Sequence, residues 1–196
     1  MTNTTTTPTN EKELSIEVLK QLAFMQHEGE DFFIVNGTPY IGDEEAAKES
    51  YEAAKEDYES FADFCENECD EVEDFDNDDY LVLTDEEADE KAADYIKDSL
   101  WAFNASFLSS ETGYPIEVFE SLQDKCESGN DAVEALIDSQ KSDTDMEGFI
   151  ESAISADGRG HFLSSYDGNE NEETVTGVTN EETGEDSTTF YIYRTN

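Results

Sequence analysis

The chain has 196 residues, of which 52 are Asp or Glu and 10 are Lys or Arg, so its formal net charge is -42. This charge disfavours direct binding to nucleic acid or to an anionic membrane, because both require positively charged protein surfaces. Hydrophobic residues make up 36% of the chain and aromatic residues 11%, which argues against a wholly disordered acidic tail.

Residues 1–12 are polar and rich in threonine, which predicts a disordered arm. Residues 13–196 are expected to form a single acidic α+β domain. The three cysteines do not make an even disulfide framework, and the N-terminus lacks a secretory pattern. No apolar run approaches the roughly 18 residues that span a membrane. These features predict a cytoplasmic protein.

The first predicted elements are an amphipathic helix over residues 14–25 and a β-hairpin over residues 31–42. Asn36 and Gly37 lie between two apolar runs of the hairpin, and this dipeptide is the strongest short hairpin signal. Pro39 has no backbone N–H, so the second strand is expected to lie at a sheet edge or to be short.

A single helix is predicted over residues 43–66, because its apolar residues recur at spacings of three and four. Seven carboxylates follow a second face and are named here the first acidic row: Glu45, Glu49, Glu52, Glu56, Glu59, Asp63 and Glu66. On a continuous helix this row would extend about 31 Å with a carboxylate about every 5 Å, whereas a DNA strand places a phosphate about every 3.4 Å of axis. The comparable spacings indicate a phosphate surrogate.

A short strand over residues 80–84 comes next, followed by a helix that is predicted to begin at a capping box from Thr84 to Glu87 and to continue to about Leu108. Its side opposite the apolar face carries a second acidic row that ends in a tryptophan: Glu87, Glu90, Asp94, Asp98 and Trp101. Both acidic rows, with Trp101, are the predicted partner-binding residues.

In the C-terminal half, the pattern of apolar residues predicts a helix starting near Pro115, another over residues 132–137 and a last helix over residues 146–156. A terminal hairpin is predicted after them. The last helix is expected to bury Phe149, Ile150 and Ile154. The predicted fold class is α+β, with helices packed on a small antiparallel sheet made of the N-terminal hairpin and the C-terminal hairpin.

The loop over residues 157–172 holds Arg159, one of two arginines, and His161, one of two histidines. We interpret it as the corner after the last helix, with Arg159 paired to carboxylates. The alternative is a catalytic role for Arg159, His161 and Asp167. Since the sequence shows no phosphate-binding glycine loop, nucleophile elbow or His-Glu helix pair, no catalytic residue is assigned and an enzyme is not expected.

Cation binding is a further alternative, because Asp74, Asp76 and Asp78 have the spacing that begins an EF-hand loop. Asp79 occupies the sixth position, where that loop requires glycine, and Asp85 occupies the twelfth, where it requires glutamate. The cysteines and histidines form no recognisable zinc pattern. No metal or cofactor is predicted.

The segment ISADGRGHFLSSYDGNENE, with the closing FYIYRTN and with LWAFNASFL, resembles small proteins encoded by bacteriophages. The small size, the extreme acidity and the carboxylate-edged helices are together similar to phage DNA-mimic proteins, which block restriction enzymes, CRISPR effectors or other host defence machinery. The first resemblance implies a phage origin, and the second implies inhibition of a host protein.

The leading hypothesis is therefore a phage-type DNA mimic that occupies the basic groove of a host nucleic-acid-binding protein, with no direct nucleic-acid partner. A two-fold homodimer would lengthen the charged surface. The alternatives are a solvated helix face and a non-mimic interaction or structural module. In that module the acidity serves solubility or salt adaptation, and Trp101 makes the contact.

Overall fold

The computed structural model describes residues 13–196, in which only helices occur between Asp85 and Leu163 and short strands lie before and after them. The predicted disordered arm, residues 1–12, lies outside the described residues. In chain order the elements are β1 (Glu13–Leu14), α1 (Ile16–Glu28), β2 (Phe32–Val35), β3 (Thr38–Ile41), α2 (Glu44–Ala54), α3 (Phe61–Glu68), β4 (Tyr80–Leu83), α4 (Asp85–Asp98), a 3-10 helix (Leu100–Ala102), α5 (Ala105–Thr112), α6 (Ile116–Gln123), a second 3-10 helix (Cys126–Gly129), α7 (Asn130–Ile137), α8 (Met146–Asp157), α9 (Arg159–Leu163), β5 (Asn171–Thr176), β6 (Thr179–Asn180) and β7 (Ser187–Arg194).

The chain divides into two compact units. The first unit comprises residues 13–78 together with Asn171–Ile192, and the second comprises Asp79–Glu170 together with Tyr193–Asn196. β7 therefore begins in the first unit and ends in the second. Along residues 13–196, none of the helices combines the length and the apolar character that a membrane crossing requires.

In the first unit, α1 packs against β5, and its buried side is formed by Leu19, Leu22, Ala23 and Met25. The predicted hairpin is confirmed, because β2 and β3 pair antiparallel on either side of Asn36, which has a positive φ of 52°. A small core beneath it contains Phe33, Tyr40, Phe64 and Cys65.

In the second unit, α4 is central, since it packs against β4, α8 and α9. It buries Ala88, Ala92 and Ile96 fully. The predicted capping box is present: the Thr84 hydroxyl accepts from the Glu87 backbone N–H, and the Glu87 carboxylate accepts from the Thr84 backbone N–H. Such reciprocal bonds satisfy backbone donors that the first helical turn leaves unpaired.

The prediction of one sheet built from the two hairpins is wrong. β2 and β3 form a sheet of their own, β5 and β7 pair antiparallel in a sheet of order β4-β7-β5, and β1 pairs parallel with β6. The edge of β3 is covered by the chain near Glu71: the Ile41 N–H donates to the Asp70 carbonyl at 2.9 Å, and the Val72 N–H donates to the Pro39 carbonyl at 3.0 Å. This segment takes the place that another strand would need.

The single helix over residues 43–66 is also wrong, because α2 ends at Ala54 and α3 begins at Phe61. Ser60 caps α3, with its hydroxyl accepting from the Asp63 N–H at 3.1 Å. The Tyr51 ring lies 5.7 Å from the Phe61 ring and 5.9 Å from the Phe64 ring. The aromatic residues that suggested one continuous face instead pack two helices against each other.

The helix predicted to reach Leu108 ends ten residues earlier, at Asp98. The Trp101 N–H donates to the Asn130 side-chain oxygen at 3.1 Å, and Asn104 caps α5 by accepting from the Ser106 N–H at 2.8 Å. These two asparagine side chains satisfy backbone donors where the long helix would otherwise continue.

Candidate acidic interaction surfaces

The first acidic row is divided over three segments of the first unit. Glu45, Glu49 and Glu52 lie exposed on α2, Glu56 and Glu59 lie exposed in the connection, and Asp63 and Glu66 lie on α3. The continuous 31 Å row of the straight helix is therefore not formed. The α2 part, from Glu45 to Glu52, rises about 10 Å along the helix axis.

Two lysines contact the first acidic row: Lys48, which lies on α2, and Lys55, which is the C-terminal cap of α2. Lys48 Nζ lies 2.9 Å from a Glu44 oxygen and 3.5 Å from a Glu45 oxygen, and Lys55 Nζ lies 2.7 Å from a Glu52 oxygen. The hydrogen bonds that Lys48 donates to Glu44 and that Lys55 donates to Glu52 raise the pKa of both lysines. Because exposed pairs of this kind contribute little free energy, a competing cation could exchange with either lysine at small cost.

Asp63 has a structural role within the first acidic row. Its carboxylate accepts from the Glu59 backbone N–H at 2.9 Å and from the Asn67 side-chain amide at 3.3 Å. Nearby, the Tyr58 hydroxyl donates to a Glu68 oxygen at 2.5 Å, and this bond raises the pKa of Tyr58 to about 12. Asp63 therefore holds the start of α3 and is a weaker candidate for a partner contact.

The second acidic row is shorter than predicted. Glu87 is engaged by the capping box, and Trp101 lies half-buried in the 3-10 helix beyond the end of α4. Glu90, Asp94 and Asp98 remain exposed on α4, with Asp94 3.9 Å from Lys97 Nζ. These three carboxylates extend over about 12 Å of helix.

The expected pairing of Arg159 with carboxylates is confirmed, but two of its three partners, Asp85 and Asp89, are exposed and not buried. The Arg159 side chain is only 10% exposed, and its guanidinium lies 2.7 Å from an Asp85 oxygen, 3.0 Å from an Asp89 oxygen and 2.9 Å from a Glu170 oxygen. Burial lowers the pKa of Arg159, but hydrogen bonds to Glu170 and Asp85 outweigh burial, so that its pKa is raised. This arginine joins the start of α4 to the segment after α9.

Tyr193 contacts one of the carboxylates around Arg159 from the interior of the unit. Its hydroxyl donates to a Glu170 oxygen at 2.5 Å, and its ring is fully buried. Burial and the Glu170 hydrogen bond raise the pKa of Tyr193. Glu170 therefore accepts from a cation on one side and from a buried phenol on the other.

Arg159, His161 and Asp167, the alternative catalytic residues, each contact different groups. The Asp167 carboxylate accepts from the Ser164 hydroxyl at 2.7 Å and from the Asn169 N–H at 2.9 Å, and the Asn169 bond is the main cause of its lowered pKa. The His161 ring packs edge-on against Phe162, with the ring centroids 5.1 Å apart. Arg159 is directed at the carboxylates described above.

Acidic residues also line a cavity of about 780 Å³ in the first unit. Asp74 and Asp76, two of the three EF-hand-like positions, belong to its wall, as do Asp70 and Glu71. Within residues 13–196, however, no set of three or more His, Cys, Asp or Glu side chains is arranged to hold a metal ion.

The second unit has a groove that was not predicted from the sequence. Ile150 and Ile154 of α8, expected in the core, are only half-buried and line a groove between α4 and α8. The sequence pattern does indicate a second apolar stripe on α8, because Met146, Ile150 and Ile154 recur every four residues. This stripe lies beside the separate buried pair Phe149 and Ala153. A helix with two adjacent apolar stripes has more apolar surface than one core contact buries.

Comparison of this chain with family models, with curated proteins and with solved structures found no match.

Proposed function

We propose that this protein is a phage-type DNA mimic that inhibits a host nucleic-acid-binding protein, in restriction, CRISPR or other defence machinery, by occupying its basic groove. The proposed location is the cytoplasm of the host. The observation that carries the proposal is the exposure of Glu45, Glu49 and Glu52 along one helix of a chain with a net charge of -42.

The division of the first acidic row changes the form of the mimicry. Each helical segment of about 10 Å matches about three phosphates of one DNA strand rather than a whole groove. The proposed contact therefore consists of short clusters of carboxylates, on α2 with its connection and on α4. Lysines or arginines of the host groove would replace Lys48 and Lys55 as partners of the α2 carboxylates.

The proposal predicts fast association that weakens steeply as salt is added, because complementary charges steer the encounter and are screened by ions. The experiment is a capture from bacterial lysate at low salt with the immobilised protein, followed by elution with duplex DNA, with RNA or with salt. Specific elution by one nucleic acid identifies which is mimicked. The affinity for the captured protein is then measured with variants.

The decisive variant neutralises four exposed residues of the first acidic row, with the substitutions Glu45→Gln, Glu49→Gln, Glu52→Gln and Glu56→Gln. The matched control makes four Glu→Gln changes at exposed positions of the same unit, at Glu28, Glu30, Glu181 and Glu185. Both variants have the same net charge. We expect the first to lose at least tenfold in affinity and the control to lose much less.

Equal losses in both variants would show that total charge, rather than the first acidic row, drives binding. Binding that resists both variants and high salt, but that is lost in Trp101→Ala, would favour the non-mimic interaction module.

A further inference from the structure

A groove of about 770 Å³ runs between α4 and α8 of the second unit. Its apolar wall is formed by Ala93 of α4 and by Met146, Ile150 and Ile154 of α8, all of them half-buried. The volume lies in the range of about 300 to 1,000 Å³ that is usual for binding pockets. The small Ala93 side chain leaves room for a partner to approach the α4 backbone.

The charged side chains of the same groove are mostly acidic. Asp89 and Glu90 of α4 and Glu147 and Glu151 of α8 line it, together with one base, Lys97. All four carboxylates are exposed to solvent, and Asp89 also contacts Arg159. The groove thus combines an apolar wall with acidic residues on both helices.

We propose that this groove binds a basic amphipathic helix of a partner protein. Apolar side chains at helical spacing would insert between α4 and α8, and lysines or arginines flanking them would face Glu90, Glu147 and Glu151. Laying one apolar helix face into a groove is a common mode of peptide recognition. Here the acidic residues add charge complementarity, which selects a cationic helix over a neutral or acidic one.

The other occupants fit less well. A second copy of this chain would bring its own acidic surface against the acidic groove, at a net charge of -42 per chain. Residues 2–11 of the same chain contain no large apolar side chain to serve as an anchor. The proposal goes beyond DNA mimicry and does not rest on it, because a mimic needs carboxylates alone and this groove also uses apolar contacts.

The test uses the full chain and a synthetic, fluorescently labelled helical peptide of leucine and lysine, with leucines every third or fourth position. A scrambled peptide of identical composition keeps the charge but has no apolar face. At physiological salt, we expect the amphipathic peptide to bind at least tenfold more tightly than the scrambled one, as measured by fluorescence anisotropy. Equal binding of both peptides overturns the proposal.

The variants separate groove binding from general attraction to an acidic protein. Ile154→Glu adds a negative charge inside the groove, so general attraction would strengthen or keep binding, whereas docking predicts a loss of about tenfold or more. Ala156→Glu makes the same charge change at an exposed position of α8 outside the groove, and it should bind like the unmodified chain. Circular dichroism checks that each variant is folded.

Ala93→Gln, on the opposite wall, provides a second variant if Ile154→Glu does not fold, and it should also weaken binding severalfold. Wild-type affinity in every folded groove variant overturns the proposal. A dimer that forms without peptide binding and that is lost in a groove variant would assign the groove to a second copy and also overturn it.

Discussion

Carboxylates on α2 and carboxylates around Arg159 have opposite local roles. Glu45, Glu49 and Glu52 extend into solvent, where two lysines contact part of the set. Asp85 and Glu170 instead converge on one nearly buried guanidinium, and the fully buried Tyr193 donates to the same Glu170. Acidic residues of the first kind repel one another, whereas those of the second kind hold the fold together.

The difference shows that the position of a rare cation decides what an acidic residue does in this chain. With two arginines, Arg159 and Arg194, the sequence can build few such clusters. Most carboxylates then remain at the surface, where they cost stability through repulsion and are available to a partner. Substitutions in the two regions should therefore change stability in opposite directions.

The largest effect is expected for Arg159→Ala. Removing the guanidinium leaves three carboxylates crowded together without a cation, and we expect a loss of about 3 kcal/mol in the free energy of unfolding of the second unit. Trp101, the only tryptophan, lies in this unit, so its fluorescence during urea unfolding reports the change directly.

Arg159→Lys should recover part of the loss, because lysine keeps the charge but cannot form the paired hydrogen bonds to Glu170. Lys141→Ala, at an exposed position of the same unit, is the matched control and should have little effect. Unfolding of Arg159→Ala at the wild-type urea concentration would show that the cluster does not stabilise the unit.

A smaller loss, about 2 kcal/mol, is expected for Gly160→Ala, from overpacking. An added Cβ would lie 2.5 Å from the Gly168 carbonyl oxygen and 2.9 Å from the Glu170 nitrogen, both backbone atoms that cannot rotate away. Gly160 thus lets α9 approach the segment that brings Glu170 to Arg159. Trp101 fluorescence during thermal unfolding measures the loss.

Gly148→Ala is the comparison for Gly160→Ala, because its nearest contact, at 2.7 Å, is with the hydroxyl of the Thr144 side chain, which can rotate. If the two alanine variants melt together, close backbone packing at Gly160 is not the cause.

The smallest effect, and one of opposite sign, is expected for Glu49→Gln. Glu49 lies four residues after Glu45 and three before Glu52, so removing its charge should stabilise α2 by about 0.3 kcal/mol at low salt. Slower hydrogen exchange of the α2 backbone amides measures the gain, which should disappear in concentrated salt. Lys48→Gln should have the reverse effect, since Lys48 contacts Glu44 and Glu45. Faster exchange in Glu49→Gln would contradict the repulsion.

Local signals predicted local structure well. The hairpin at Asn36-Gly37 and the capping box at Thr84 are confirmed, because each depends on residues within four positions of one another. The helix over residues 43–66 was wrong because periodicity does not distinguish one long helix from two that fold onto shared aromatic residues. The joint sheet was wrong because nothing in the sequence near residues 70–72 shows that this segment covers the edge of β3.

The same limit applies to the candidate sites. The pairing of Arg159 with carboxylates was predictable because cations are scarce in this chain. The identity of its partners Asp85 and Asp89, 74 and 70 residues away in sequence, was not predictable. The exposed glutamates of α2 were correctly placed on a helix surface. The carboxylates of Asp63 and Glu87 instead accept hydrogen bonds from backbone N–H groups at the starts of their helices. The groove between α4 and α8 could not be predicted without knowing which apolar stripe of α8 faces the core.

The small core of Phe33, Tyr40, Phe64 and Cys65 has a consequence for thiol chemistry. Cys65 is fully buried, and burial together with Cys69 raises the pKa of its thiol to about 12, while Cys126 of the second unit is exposed. Alkylating reagents react with thiolates, so Cys126 is open to labelling and Cys65 is protected while the core is closed. The rate at which Cys65 becomes alkylated therefore measures how often the aromatic core beneath the first acidic row opens.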